Sequence, residues 1–170
     1  MNIYLIGMKA CGKTTVGQAL SRQLGRQWLD TDRLIELHHE SEHGEAMCFS
    51  EIYQSRGEAV FREIEEQVIT SIEHNGAVVS LGGSSVLNKR SLAFCRESGL
   101  IVYLNLSFSC WLDRIDNSVG VSDGIFQQGK RKYYDTRHAC YANATSFKIN
   151  VDKLTVQEVV SQLVADLGGN

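Results

Sequence analysis

The chain has 170 residues, the length of one ordinary domain, and its 43% apolar and 22% charged content excludes a disordered tail or a fibrous repeat. With 20 acidic against 17 basic residues the net charge is −3, without long single-sign blocks, so no nucleic-acid surface is indicated and a small molecule is the expected partner. No apolar run reaches the ~20 residues of a membrane span, and the first residues read as a strand instead of a cleavable signal, which predicts a cytoplasmic protein.

Asn2–Ile6 is a short apolar run that ends at Gly7 and predicts a buried strand. From Gly12 to Leu24, Val16, Ala19, Leu20 and Leu24 recur at helical spacing. Trp28 and Leu29 lead, as the end of a second strand, into Asp30. Ile35, His38 and His39 fall on a short polar helix, Phe49, Ile52 and Tyr53 start another, and Phe61, Ile64, Val68 and Ile72 mark a long amphipathic helix running to about His74. Ala77–Leu81 and Leu100–Leu104 predict two further buried strands, and Phe147–Val151 one more. Val156, Val159, Val160, Leu163, Val164 and Leu167 define one face of a final helix, opened by a Thr155/Glu158 capping box. Strands that are apolar throughout and separated by helices imply βαβ crossovers. The predicted fold class is therefore α/β, three layers, with a parallel sheet of about five strands flanked by helices. Asp116 to Gly129 is polar, glycine-rich and without periodicity, the composition of a lid, a binding loop or a disordered segment. The five cysteines are odd in number, scattered and free of CxxC pairs, as expected of reduced thiols.

Gly7-Met8-Lys9-Ala10-Cys11-Gly12-Lys13-Thr14 satisfies G-x4-G-K-[ST] between a predicted strand and a predicted helix, the context that supports a phosphate-binding loop. Backbone N–H groups at a helix N-terminus surround a phosphate, and glycines permit the close approach. Gly7, Lys9, Ala10, Cys11, Gly12, Lys13, Thr14 and Thr15 are thus candidate ATP-binding residues, with Lys13 neutralising phosphate oxygens and Thr14 a Mg²⁺ ligand. The bland alternative is a glycine turn carrying a surface lysine. Asn150-Val151-Asp152-Lys153 has the wrong order for the guanine-reading NKxD of a GTPase, and an ABC-type ATPase needs a longer chain, which leaves a small-molecule or nucleotide kinase. Asp30 and Asp32, two apart at a strand end, share a side of that strand. One can support Mg²⁺ while the other orients an attacking hydroxyl. The competing assignment makes Asp32 a helix N-cap and Asp30 a turn residue.

Gly57, Phe61, Arg62 and Glu65, then Ser80-Leu81-Gly82-Gly83, then Arg137 before Tyr141, complete a pattern that, with the phosphate loop and the Asp30/Asp32 pair, resembles the shikimate kinases over nearly the whole chain. The resemblance implies a single P-loop kinase domain over 1–170, with a substrate-binding helical region at about 32–62 and a lid at about 116–129. It implies that Asp32, Arg62, Gly82, Gly83 and Arg137 bind shikimate, that Asp30 meets Mg²⁺ through water, and that Lys13 and Asp32 are catalytic. Arg114 aligns with an arginine that packs against adenine, and the Val151–Asp152 segment with the adenine-side loop. The implied activity is ATP-dependent phosphorylation of the shikimate 3-hydroxyl on the route to chorismate, by a monomer. A related kinase with another acceptor and a degenerate nucleotide-binding protein are the alternatives. Chemistry supports the carry-over, since two arginines can grip a carboxylate and a carboxylate can accept from a hydroxyl. Read singly, however, Arg62 is a helix-surface residue paired with Glu58, Glu65 or Glu66, and Arg137 an ordinary helix arginine.

Two departures stand out. The family's lid carries an arginine that reaches the transferring phosphates, whereas residues 117–124 read Asn-Ser-Val-Gly-Val-Ser-Asp-Gly; Lys130, Arg131 or Lys132 can substitute if the loop folds inward, and otherwise a slow or altered kinase is expected. Ser84 also replaces the usual third glycine after Gly82-Gly83. Finally, His39-Glu40-Ser41-Glu42-His43 matches the zinc-protease pattern H-E-x-x-H, but its polar surroundings and the glycine one residue beyond argue for a solvated helix. Trp28 and Trp111 are expected in the core or at the lid edge.

Overall fold

The computed structural model describes residues 1–73, 75–116, 129–145 and 147–168. Among these residues five strands alternate with seven α-helices: β1 (Asn2–Ile6), α1 (Lys13–Leu24), β2 (Trp28–Asp30), α2 (Thr31–His43), α3 (Phe49–Thr70), β3 (Val78–Ser80), α4 (Lys89–Ser98), β4 (Gly99–Asn105), α5 (Phe108–Asp116), α6 (Lys130–Ala144), β5 (Lys148–Asn150) and α7 (Val156–Gly168). A 3-10 turn, Ser85–Leu87, precedes α4. All strand pairs are parallel, in the order β2-β3-β1-β4-β5, with Ile3 opposite Val78 on one side and Leu100 on the other. The chain leaves β1 toward β2 but leaves β3 across β1 toward β4. Strand order thus reverses beside β1, and ligands of such sheets bind outside the carboxyl ends at that point. The carboxyl ends of β1, β2 and β3 all open there.

The three central strands are mostly apolar because both faces are covered: Ile3, Tyr4, Leu5 and Ile6 are buried throughout, as are Val78, Val79, Val102 and Leu104, whereas edge strand β5 buries only Ile149 between exposed Lys148 and Asn150 and edge strand β2 is half-buried. Trp111 is fully buried in the core, as expected, while Trp28 sits on edge strand β2, where its indole N–H donates to Ser80 Oγ at 3.1 Å. Gly17 is required where α1 crosses β3, since a Cβ there would stand 2.6 Å from Ser80 Oγ. The expected capping box at α7 is present, Thr155 N donating to Glu158 Oε2 at 2.7 Å and Glu158 N to Thr155 Oγ1 at 3.3 Å.

Boundaries differ from the sequence pattern in physically legible ways. The two helices expected around Phe49 and Phe61 run together as α3 across a break at Gly57 (φ 81°, ψ 166°), and α3 ends at Thr70, short of the anticipated His74. A second, smaller apolar cluster of Ile35, Ile52, Phe61, Ile64 and Val68 joins α2 to α3. The strand anticipated over 147–151 is trimmed to Lys148–Asn150, and that over 77–81 to Val78–Ser80. The HExxH helix is α2. His39 is fully buried with its Nδ1 3.2 Å from the Glu45 carbonyl, and no His, Cys, Asp or Glu cluster among the described residues is arranged to hold a metal ion.

Candidate active site

The loop between β1 and α1 is shaped by unusual backbone conformations at Gly7 (φ 148°), Ala10 (φ 65°) and Gly12 (φ 100°). At Gly7 a Cβ would lie 2.7 Å from the Leu104 carbonyl oxygen, so only glycine lets the loop fold this closely over β4. Lys13 Nζ donates to the carbonyls of Gly7 at 2.9 Å and Met8 at 3.0 Å and lies 3.9 Å from Cys11 Sγ, which closes the loop into a ring around its own amides. A nest of N–H groups at a helix N-terminus is a geometry suited to an anion such as a phosphate. Lys9 is exposed on the rim, next in the chain to the Met8 carbonyl that Lys13 holds, and Thr15 follows Thr14 in the first turn of α1.

Asp30 and Asp32 meet at this loop, though not by the strand alternation inferred from sequence. β2 ends at Asp30, which caps α2 with its Oδ1 accepting from Asp32 N at 3.0 Å, so Asp32 lies in the first helical turn. The capping roles are thus the reverse of the anticipated alternative, with Asp30 the N-cap. Asp30 Oδ2 accepts from the Thr14 hydroxyl at 3.1 Å. Burial pushes the Asp32 carboxyl up to about 6, with the charges of Asp30, Glu65 and Glu36 adding to the rise and Lys13 opposing it. A carboxylate so poised accepts a proton near neutral pH.

The turn after β3 brings the remaining candidates together. A Cβ on Gly82 would stand 3.0 Å from Glu65 Oε1 and 3.1 Å from Asp32 Oδ1, so glycine is needed for close approach to both carboxylates. Arg137, on α6, donates from Nη1 to the Gly83 carbonyl at 2.9 Å, and the buried Tyr141 hydroxyl donates to the same oxygen. Arg62, on α3, donates to Ser84 Oγ, to Glu65 Oε2 at 3.0 Å and to Glu58 Oε1 at 3.3 Å. Glu65 is only 2% exposed and takes a further hydrogen bond from Ser85 Oγ at 2.9 Å. Arginines from two distant helices therefore converge on consecutive residues of one turn. Glu65 is thus buried against the same turn as the candidate residues, whereas the sequence offers it only as a member of the Gly57–Glu65 pattern and a surface partner of Arg62, three residues before it.

Arg114 ties the loop to the end of β5, its Nη1 donating to the carbonyls of Ala10 and Cys11 and its Nη2 to that of Val151, each at 3.4 Å. A cavity of about 210 Å³ beside it, lined by Cys11, Thr15, Arg114, Val151, Leu154 and Val156, is apolar on one side and large enough for part of a base. A wider depression of about 370 Å³ near Arg96 and Thr145 lies away from the phosphate loop, and the Arg96 guanidinium there already caps the carbonyls of Asn143 and Ala144. Asp116 and Gly129 bracket residues 117–128, so all but the ends of the anticipated lid lie outside the described residues. Lys130 is ion-paired with Asp116, and Arg131 with Asp135 at 2.9 Å, while Lys132 is exposed.

The family model "Shikimate kinase" matches residues 9–168. A shikimate kinase of Sulfurihydrogenibium sp. (strain YO3AOP1) is 32% identical over 170 residues, covering 98% of this chain and 97% of that protein. The crystal structure of the shikimate kinase from Aquifex aeolicus VF5 superposes with a TM-score of 0.77 at 29% identity, over 100% of this chain and 98% of that one. The Acinetobacter baumannii shikimate kinase in complex with shikimate does so with a TM-score of 0.81 at 26% identity, over 99% and 93% of the two chains.

Proposed function

This chain belongs to the shikimate kinase family, and from that premise we propose how its residues transfer the γ-phosphoryl group of ATP to the 3-hydroxyl of shikimate. One observation supports the acceptor assignment above the others. Arg62 and Arg137, from α3 and α6, meet at the Gly83–Ser84 turn beside Asp32 and within one strand of the phosphate loop. This convergence supports reading the two arginines as a carboxylate grip and Asp32 as a proton acceptor on one side of a phosphate cradle, the arrangement an acidic polyol needs for in-line transfer.

On binding ATP, Lys13 exchanges the Gly7 and Met8 carbonyls for phosphate oxygens, while the loop amides hold the β-phosphate. The cavity beside Arg114 receives the adenine. The Thr14 hydroxyl and the Asp30 carboxylate are hard oxygen donors of the type Mg²⁺ takes, and they would hold that ion, Asp30 through water. When bound, the ion supplies positive charge to the phosphate oxygens. Arg62 and Arg137 hold the shikimate carboxylate, and Gly82 and Gly83 line the ring. Asp32 accepts the hydrogen bond of the attacking hydroxyl and takes its proton as the new O–P bond forms. The bond from the γ-phosphorus to the bridging oxygen breaks and ADP leaves. The enzyme works as a cytoplasmic monomer. Among the described residues no helix is long and apolar enough to cross a membrane.

A coupled assay of ADP release with and without shikimate tests this function. Shikimate-dependent release is expected. Release with another polyol acid alone would point to a related kinase, and tight ATP binding without turnover to a degenerate nucleotide-binding protein.

A further inference from the structure

Ser84 stands where the resembling family has a glycine, and nothing in its backbone calls for one: φ is −114° and ψ −8°, an ordinary conformation for a residue with a side chain. Gly82 differs, being crowded by Asp32 and Glu65. The backbone therefore carries the serine side chain into the site in an ordinary conformation. Its Oγ accepts a hydrogen bond from Arg62 Nη1. A hydroxyl that accepts still has one O–H to donate, and among the described residues that proton engages no acceptor. The neighbouring carbonyl, Gly83, is the one that holds Arg137.

Arg62 is an incomplete partner for an incoming anion, because its charge is already shared with the buried Glu65 at 3.0 Å and with Glu58 at 3.3 Å. A substrate carboxylate arriving there meets a half-neutralised guanidinium with a buried carboxylate behind it. An additional neutral donor at that point strengthens the grip without adding charge. We propose that Ser84 is a substrate-contacting residue of this enzyme, its hydroxyl fixing the Arg62 guanidinium on one side and donating to the carboxylate of the acceptor on the other. The proposal rests on shikimate being the acceptor.

The test pairs a change in the protein with a change in the ligand. Shikimate and its methyl ester are titrated calorimetrically, with ADP present, into wild-type protein, Ser84→Ala and Ser84→Thr. Loss of a hydrogen bond to a charged group is expected to weaken shikimate binding to Ser84→Ala roughly 10-fold or more, while the ester is affected far less. Ser84→Thr, which keeps the hydroxyl, should retain most of the affinity. In kinetics the loss should fall on the KM for shikimate and leave the KM for ATP in place. Equal weakening of both ligands would mean that the serine only supports the turn, and unchanged or tighter shikimate binding that it merely competes for Arg62; either overturns the proposal. Wild-type protein that releases no ADP on adding shikimate would refute the acceptor assignment and Ser84's role with it, whereas normal wild-type turnover with an indifferent Ser84→Ala refutes the Ser84 role alone.

Discussion

Replacing Asp32 by asparagine should produce an enzyme that is nearly inactive and more stable than its parent. The Asp32 carboxyl is pushed from 3.8 to about 6, by burial first and then by Asp30, Glu65 and Glu36 against the attraction of Lys13. A rise of this size corresponds to roughly 3 kcal/mol of penalty on the ionised form, and partial exposure of the side chain reduces this to about 2 kcal/mol. Between pH 3.8 and about 6 the folded protein keeps a proton that the unfolded chain has released, so stability falls as pH rises through that window and the whole penalty is present above it. Asp32→Asn carries no such penalty. At about pH 8 it should melt about 4–8 °C higher than wild type, given ~2–4 °C per kcal/mol at this chain length, and the gap should close toward about pH 4. Turnover should drop ~10²- to 10⁴-fold, the usual worth of a general base. Scanning calorimetry at those two pH values with parallel ADP-release assays decides it. A variant no more stable than wild type under the alkaline condition, or a gap that stays constant with pH, would refute the electrostatic account of Asp32.

Lys13→Ala should abolish turnover and leave circular dichroism unchanged, because the ammonium bonds loop carbonyls that water can serve and the weak Cys11 thiol acceptor; normal turnover in the folded variant would end the kinase assignment. Gly7→Ala forces a side chain into a φ of 148° and to 2.7 Å from the Leu104 oxygen, so thermal unfolding should show a loss of about 2 kcal/mol or more. Wild-type melting of that variant would contradict the close packing of the loop on β4. Replacing Lys130, Arg131 and Lys132 together by alanine should lower kcat with little change in shikimate affinity, the mark of charge that acts in the transition state. Should kcat stay in the ordinary kinase range of ~1–100 s⁻¹, charge supplied from the start of α6 is unnecessary.

The parts of the molecule legible in sequence are those where one physical signal dominates. Uninterrupted apolar runs mark β1, β3 and β4, and Thr155 with Glu158 marks the start of α7. The phosphate loop announces itself by glycine spacing. Asp30 and Asp32 are identified by sequence for an incomplete reason: their proximity comes from a helix cap, and whether a strand stops at residue 30 or 32 is settled by the Asp32 N–H reaching Asp30, which no periodicity encodes. Helix α6 escapes the pattern because its inward face is aromatic and polar at once, with Tyr134, His138 and Tyr141 buried or half-buried among charged residues. The burial of Glu65 is hidden for a related reason. A glutamate three residues after an arginine looks like surface pairing until the fold closes a turn over it.

The break at Gly57 and the small apolar cluster around Ile35 and Ile52 give the molecule two cores of unequal size. The smaller one has few members and holds α2 against α3 on both sides of the break, so it is expected to open at lower free energy than the sheet, as a separate cooperative unit of unfolding. Amide hydrogens of Ile35 and Ile52 should then exchange with solvent through local opening, while those of Tyr4 and Val102 should wait for global unfolding. Asp32 and Arg62 sit on the two helices that this cluster joins. An acceptor bridging them selects the closed form and raises protection across the whole smaller unit, so part of its binding energy is spent in ordering the fold that recognises it.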